Sequence, residues 1–166
     1  MSARVRIRKA GPRDLSVLVR HRRAMFQAIR PYSTIALDRA DSIYRPWLRK
    51  KLRSGEAVAF IAEDSDSVPV GSGAVFIRYV DPCPLRQEGV PHIISMFTEA
   101  GCRGQGVATR IVNELAGWCR HQGFTQVSLS PAPRARSLYR RIGFERDWEM
   151  SMSLTEGTGS SRGGRR

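Results

Sequence analysis

Cys102-Arg103-Gly104-Gln105-Gly106-Val107-Ala108-Thr109 is the stretch on which the reading of this chain turns. The apolar run Ile93, Ile94, Met96 and Phe97 precedes it. After it, Val107, Ile111, Leu115 and Trp118 recur at helical spacing. The order is strand, tight glycine turn, helix. A helix opening at such a turn has N–H groups without intrahelical partners and the positive end of its dipole, and both favour an anion. Gly104 and Gly106 keep side chains away from an approaching phosphate, and Arg103 adds a fixed charge. The loop lacks the lysine of a P-loop, and the three-glycine dinucleotide fingerprint fails too.

Arg103-Gly104-Gln105-Gly106-Val107-Ala108 fits the pattern Gln/Arg-x-x-Gly-x-Gly/Ala and resembles the acyl-CoA pyrophosphate loop of the GNAT superfamily of N-acetyltransferases. A second stretch, Leu138-Tyr139-Arg140-Arg141-Ile142-Gly143-Phe144-Glu145, resembles the signature near the C-terminal end of that superfamily. Two motifs in the right order, with a helix and a strand between them, are far more specific than either alone. Weaker likeness at residues 18–26, 96–99 and 149–150 extends the resemblance to about residue 154. It implies an α/β (α+β) sandwich: a mixed, mostly antiparallel sheet of six to seven strands flanked by about four helices. A V is expected where the strand carrying residues 96–99 and the strand carrying residues 129–130 splay apart, exposing backbone to which pantetheine can bond like an added strand.

Periodicity places the other elements. Residues 5–8 alternate apolar and charged and predict an edge strand. A helix follows Asp14, with Leu15, Leu18, Val19, Arg22, Met25, Phe26 and Ile29 in its stripe, and it ends before Pro31. A second helix over residues 38–53 turns Ile43, Trp47, Leu48 and Leu52 inward and stops at Gly55. Tyr32, Tyr44 and Trp47 read as core, although the resemblance gives the first two helices and their connection to the acceptor pocket. Strands are expected at residues 57–62, 70–80, 92–98 and 125–130, with a bulge or close backbone approach at Gly71 and Gly73. A short helix over residues 134–142 and a last strand carrying Trp148, Met150, Met152 and Leu154 complete one domain, residues 1–154. The Gly, Ser and Arg of residues 155–166 predict a disordered tail.

Composition narrows the class. The 166 residues are 41% apolar, enough to bury one core, and contain no apolar run of membrane-spanning length. Residues 1–8 interleave charge rather than form a signal-peptide core, so a cytoplasmic location is expected. Cys83, Cys102 and Cys119, like His21, His92 and His121, are scattered and predict neither disulfides nor a metal site. The net charge of +13 favours polyanions, CoA phosphates and nucleic acid alike. It is carried almost wholly by arginine, the only lysines being Lys9, Lys50 and Lys51. The expected partners are acetyl-CoA and an amine, with no specific nucleic acid and no membrane; homodimers are common in the family resembled.

Acetyl transfer needs a positioned thioester, loss of a proton from the amine and a proton for the departing thiolate. The resemblance implies that Tyr139 supplies that last proton; helical spacing with Ala135, Leu138 and Ile142 reads it as packing. Glu99 is the candidate base, directly or through water, or else a surface carboxylate beside the turn; Glu149 is a weaker candidate. Phe97 and Thr98 would bond pantetheine through their main chains. Arg103, Gly104, Gln105, Gly106, Val107, Ala108 and Thr109 would hold pyrophosphate, and Ser137 would reach the pantetheine arm. Many members carry asparagine seven residues before the tyrosine; here Ala132 stands there, and Ser130 is the candidate replacement. Cys102 is not cast as a nucleophile, since direct attack needs none. The expected activity is acetyl-CoA-dependent N-acetylation of a primary amine, a small molecule before a protein. A basic nucleic-acid-binding module and a non-catalytic acyl-CoA sensor are the alternatives. The basic balance suits a neutral or acidic amine better than a polycation.

Overall fold

A strand that is apolar on both faces needs a layer on each side, and Ala57–Glu63 is such a strand. Val58 and Ala62 join one core cluster with Ile111 and Leu115, while Ala59 and Ile61 join another with Leu18 and Leu48. The computed structural model describes residues 5–80 and 89–146. Its elements are β1 (Arg6–Lys9), α1 (Leu15–Ile29), α2 (Thr34–Ser54), β2 (Ala57–Glu63), β3 (Pro69–Tyr79), β4 (Gly89–Thr98), α3 (Val107–His121), β5 (Ser128–Leu129) and α4 (Arg136–Ile142). The sheet runs in the order β1-β2-β3-β4-β5, antiparallel except for the parallel pair β4 and β5. α1 and α2 cover one face. α3 covers the other, with Tyr139 of α4 in the same cluster. Among the described residues no helix is long and apolar enough to cross a membrane.

The sheet has five strands among the described residues, against the six to seven expected. The expected last strand, Glu149, Cys83 and the tail lie outside the described residues. β5 is two residues long, where a strand over residues 125–130 was expected. α2 begins at Thr34, before the expected start, because Ser33 caps it: the Ser33 hydroxyl accepts from Ala36 N–H at 3.2 Å. Ile43 is a correction. It is 63% exposed, because Leu37, Tyr44 and Leu48 set the buried face of α2 and Ile43 falls outside that stripe.

Gly73 is where the two layers come closest. A side-chain carbon there would collide with Met96 Sδ and stand 3.0 Å from Ile111. The register slips opposite it: Ser72 pairs with Phe97 but Ala74 with Ile94, so β4 carries one extra residue. Ser95 in that bulge has φ +56, in the left-handed region. On the opposite face His21 of α1 is fully buried; Nδ1 lies 2.9 Å from Ser72 Oγ, and its ring packs 5.1 Å from that of Phe97. Burial, helped by the Arg20 charge, pulls its pKa from 6.5 down to about 4.

Two outcomes follow from this packing. Gly73→Ala should destabilise the protein by about 1–3 kcal/mol in denaturant unfolding, and Met96→Ala in the same background should recover part of that loss. The pH profile should carry the mark of His21. Below about pH 6.5 the unfolded chain takes up the histidine proton and the folded chain does not, so stability falls as pH drops from about 6.5 to about 4. Melting temperatures across that window should decline, and His21→Gln should flatten the upper part of it, where carboxylates are still ionised.

Candidate functional site

The pairing of β4 with β5 lasts for two residue pairs, His92 with Ser128 and Ile93 with Leu129. β4 continues to Thr98 while β5 ends, so the edge of β4 from residue 94 onward opens into a V on that side. The bulge at Ser95 and Met96 lies on the same stretch. Tyr44 of α2 braces it, with its hydroxyl 3.1 Å from Ser95 Oγ. Unpaired strand backbone inside a cleft is a template for an extended ligand.

Beyond Thr98 the chain makes a 3-10 turn, Ala100–Cys102, and then the glycine turn. Gly104 and Gly106 have φ of +76 and +79, and a side-chain carbon on either would meet open space. Glycine is required here by the backbone rather than by crowding. The first intrahelical bond of α3 runs from Arg110 N–H to Gly106 C=O at 3.0 Å, and no side chain caps the helix. The N–H groups of residues 107–109 therefore precede the hydrogen-bond ladder at the positive end of a 15-residue helix. Arg103 Nε donates to Thr98 C=O at 3.0 Å, and Gln105 Nε2 donates to Gly101 C=O at 3.0 Å. Both tie the turn to its own backbone.

One cleft of about 1250 Å³ joins these features. Phe97, Thr98, Arg103, Gly104, Gly106, Val107, Ala108, Thr109, Ser130, Ser137 and Tyr139 all line it, as does Ala132. Glu99 and Gln105 do not. The Glu99 carboxylate points toward α1, 3.8 Å from an Arg20 nitrogen and 4.0 Å from His21 Nε2. Tyr139 is 8% exposed, edge-on to Phe144 at 5.8 Å, and burial raises its pKa, so the phenol stays protonated through neutral pH. Cys102 also lines the cleft. Among the described residues no group of three potential metal ligands comes together.

The opposite wall is aromatic. Tyr44 stacks on Trp47 at 5.7 Å, Trp47 meets Phe76 at 5.2 Å, and Phe76 meets His92 at 6.0 Å. Phe26, Ile29 and Ile43 continue it on α1 and α2. The half-buried Arg22 stands among them, with its guanidinium 4.1 Å from the Tyr44 ring centre and 4.7 Å from that of Phe26. Sequence reasoning placed Arg22 in the apolar stripe of the first helix without giving it a role. A lone cation in a core register was the available signal.

The family model described as Acetyltransferase (GNAT) family matches residues 22–144, well over half of the chain. A search of curated protein sequences finds no match. Among solved structures, the chain shares its fold with a GCN5-related N-acetyltransferase from Ralstonia eutropha: TM-score 0.82, 22% identity, 90% of this chain and 98% of that one covered. A predicted acetyltransferase from Clostridium acetobutylicum, solved with acetyl-CoA, gives TM-score 0.78 at 23% identity over 91% of this chain and 96% of that one. Glucosamine-6-phosphate N-acetyltransferase from Arabidopsis thaliana gives 0.65 at 17% identity, covering 91% and 99%.

Proposed function

The chain belongs to the acetyltransferase (GNAT) family, and from that premise we propose that it transfers an acetyl group from acetyl-CoA to a primary amine of a small molecule by direct attack. The observation that carries this reading is a juxtaposition in one cleft: an open strand edge on β4, an uncapped helix N-terminus at the glycine turn, and the buried phenol of Tyr139. Each answers one part of a CoA thioester. The N–H groups at the start of α3, with Arg103, suit pyrophosphate. The main chain of Phe97 and Thr98 suits the pantetheine amides, and Ser130 and Ser137 line the cleft within the same reach. Ala132 offers only a methyl where many members carry an amide side chain, so the serines would supply the polar contact there.

The co-substrate supplies the thioester: the amine lone pair forms the N–C bond, the C–S bond breaks, and the thiolate takes a proton. Tyr139 is the donor we assign, because its burial keeps the proton on the phenol until a strong base forms beside it. Glu99 lies outside the cleft, so any part it has in removing the amine proton runs through water. No protein nucleophile is needed, and Cys102 contributes backbone to the turn. The reading carries a cytoplasmic location with it.

Tyr139→Phe should lower kcat on the order of a hundredfold in a CoA-release assay, with acetyl-CoA affinity by calorimetry nearly unchanged. Equal turnover in the variant would remove the acid role. Gly106→Glu puts a side chain into a left-handed backbone position and a negative charge at the helix start. It should weaken acetyl-CoA binding by at least about tenfold, and undiminished affinity would move the pyrophosphate away from this turn.

A further inference from the structure

The charged side chains that line the cleft, among the described residues, are Arg22, Arg103, Arg134 and Arg141, with no carboxylate. Three of them sit around the glycine turn and α4, where phosphates are expected. Arg22 stands alone on α1, across Tyr44 from the bulge in β4. Its neighbours on the helix have acids of their own: Arg20 lies 3.8 Å from Glu99, and Arg23 holds Asp38 and Asp41 at 2.7 and 2.8 Å. Asp41 is the acid that Arg22 feels, and Arg23 already binds it. Arg22 Nη1 is buried without a hydrogen-bond partner. The faces of Tyr44 and Phe26 offset part of the cost of removing that cation from water, but a ring accepts no conventional hydrogen bond. Leaving a buried charged donor unsatisfied is expensive, and a site that binds a complementary anion removes the expense.

We propose that Arg22 binds the carboxylate of the acceptor, so that the amine acetylated here belongs to an amino acid or a comparable small molecule with one carboxylate and an apolar body. This rests on the acetyltransferase reading and adds the class of acceptor to it. A guanidinium matches a carboxylate in plane and in charge. The wall around it, with Met25, Ile29, Ile43 and Trp47, takes up apolar surface. A phosphate dianion would leave one charge uncompensated against that wall, and a polycation would meet only positive charge.

CoA release by the full-length protein should be measured with leucine, methionine and phenylalanine, with their amides, with glucosamine 6-phosphate and with kanamycin. The free amino acids should exceed their amides by roughly tenfold or more in kcat/KM. Arg22→Gln should raise KM for the acids by about ten- to a hundredfold and bring the acid-to-amide ratio toward one, and Arg22→Lys should restore part of the preference. Acetyl-CoA calorimetry on each variant checks that it is folded. Amides equal to acids, an unchanged ratio in Arg22→Gln, or preference for kanamycin or glucosamine 6-phosphate would overturn the assignment. So would acetyl-CoA binding without turnover of any of these amines, which leaves the cofactor site standing. Failure to bind acetyl-CoA would instead bring down the transferase reading beneath it.

Discussion

β4 pairs with β3 from Gly89 to Thr98 except at the bulge of Ser95 and Met96, but among the described residues it has a partner on its other side only at His92 and Ile93. Backbone polar groups enclosed by protein need partners, and a strand left open on one edge inside a cleft has to take them from solvent or from a ligand. Much of the site follows from how that open edge is held in place. The extra residue at Ser95 and Met96 bends β4, Tyr44 and His21 hold the bent strand from the α1 and α2 side, and α3 backs it from the other. Gly71 and Gly73 let α3 approach closely enough to do so. The cleft is thus part of the sheet itself and not a gap between loops.

On the proposed reading, the two ends of the cleft bind by different means. At the glycine turn the recognition groups are main-chain N–H groups, fixed by two left-handed glycines and by tethers from Arg103 and Gln105 to nearby carbonyls. Backbone recognition of this kind tolerates side-chain change, so it suits a ligand that does not vary. At the other end side chains of α1 and α2 form the surface. Substitution at the wall residues other than Tyr44, which braces Ser95, would alter the proposed acceptor surface while leaving the strand pairing in place.

What the sequence made legible was mostly local chemistry. The turn at Gly104 and Gly106 was readable from its glycines, as clearance for a phosphate; positive φ is what requires them. The stop of α4 at Gly143 followed from the same rule. The stripe of α3 was readable from period alone, and β2 from an apolar run beside a turn, although that it is apolar on both faces emerges only in the fold. A bulge or close backbone approach was expected at Gly71 and Gly73; the close approach is there, while the extra residue of the bulge sits across from them, at a serine in a conformation serine seldom adopts. Ile43 was assigned inward because hydrophobicity says nothing of which neighbouring residue wins a shared face; Tyr44 won, being able to reach Ser95 as well. Arg22 looked like an interruption of an apolar stripe, and only the proximity of two rings and an Nη1 left without a hydrogen-bond partner give it meaning.

The arginine lining of the cleft also bears on how an amine sheds its proton. An acidic pocket draws ammonium ions in, but it holds them charged and therefore unreactive. A field of guanidinium charges acts in the opposite sense. One such charge about 10 Å away, at an effective dielectric constant near 20, shifts an ammonium by about one pKa unit toward the free base. Arginine does not titrate in the range where proteins work, so these charges do not change with pH. With Glu99 outside the cleft and arginines lining it, the potential of the protein alone disfavours an ammonium ion there, and phosphates or a carboxylate bound to those arginines would offset that bias.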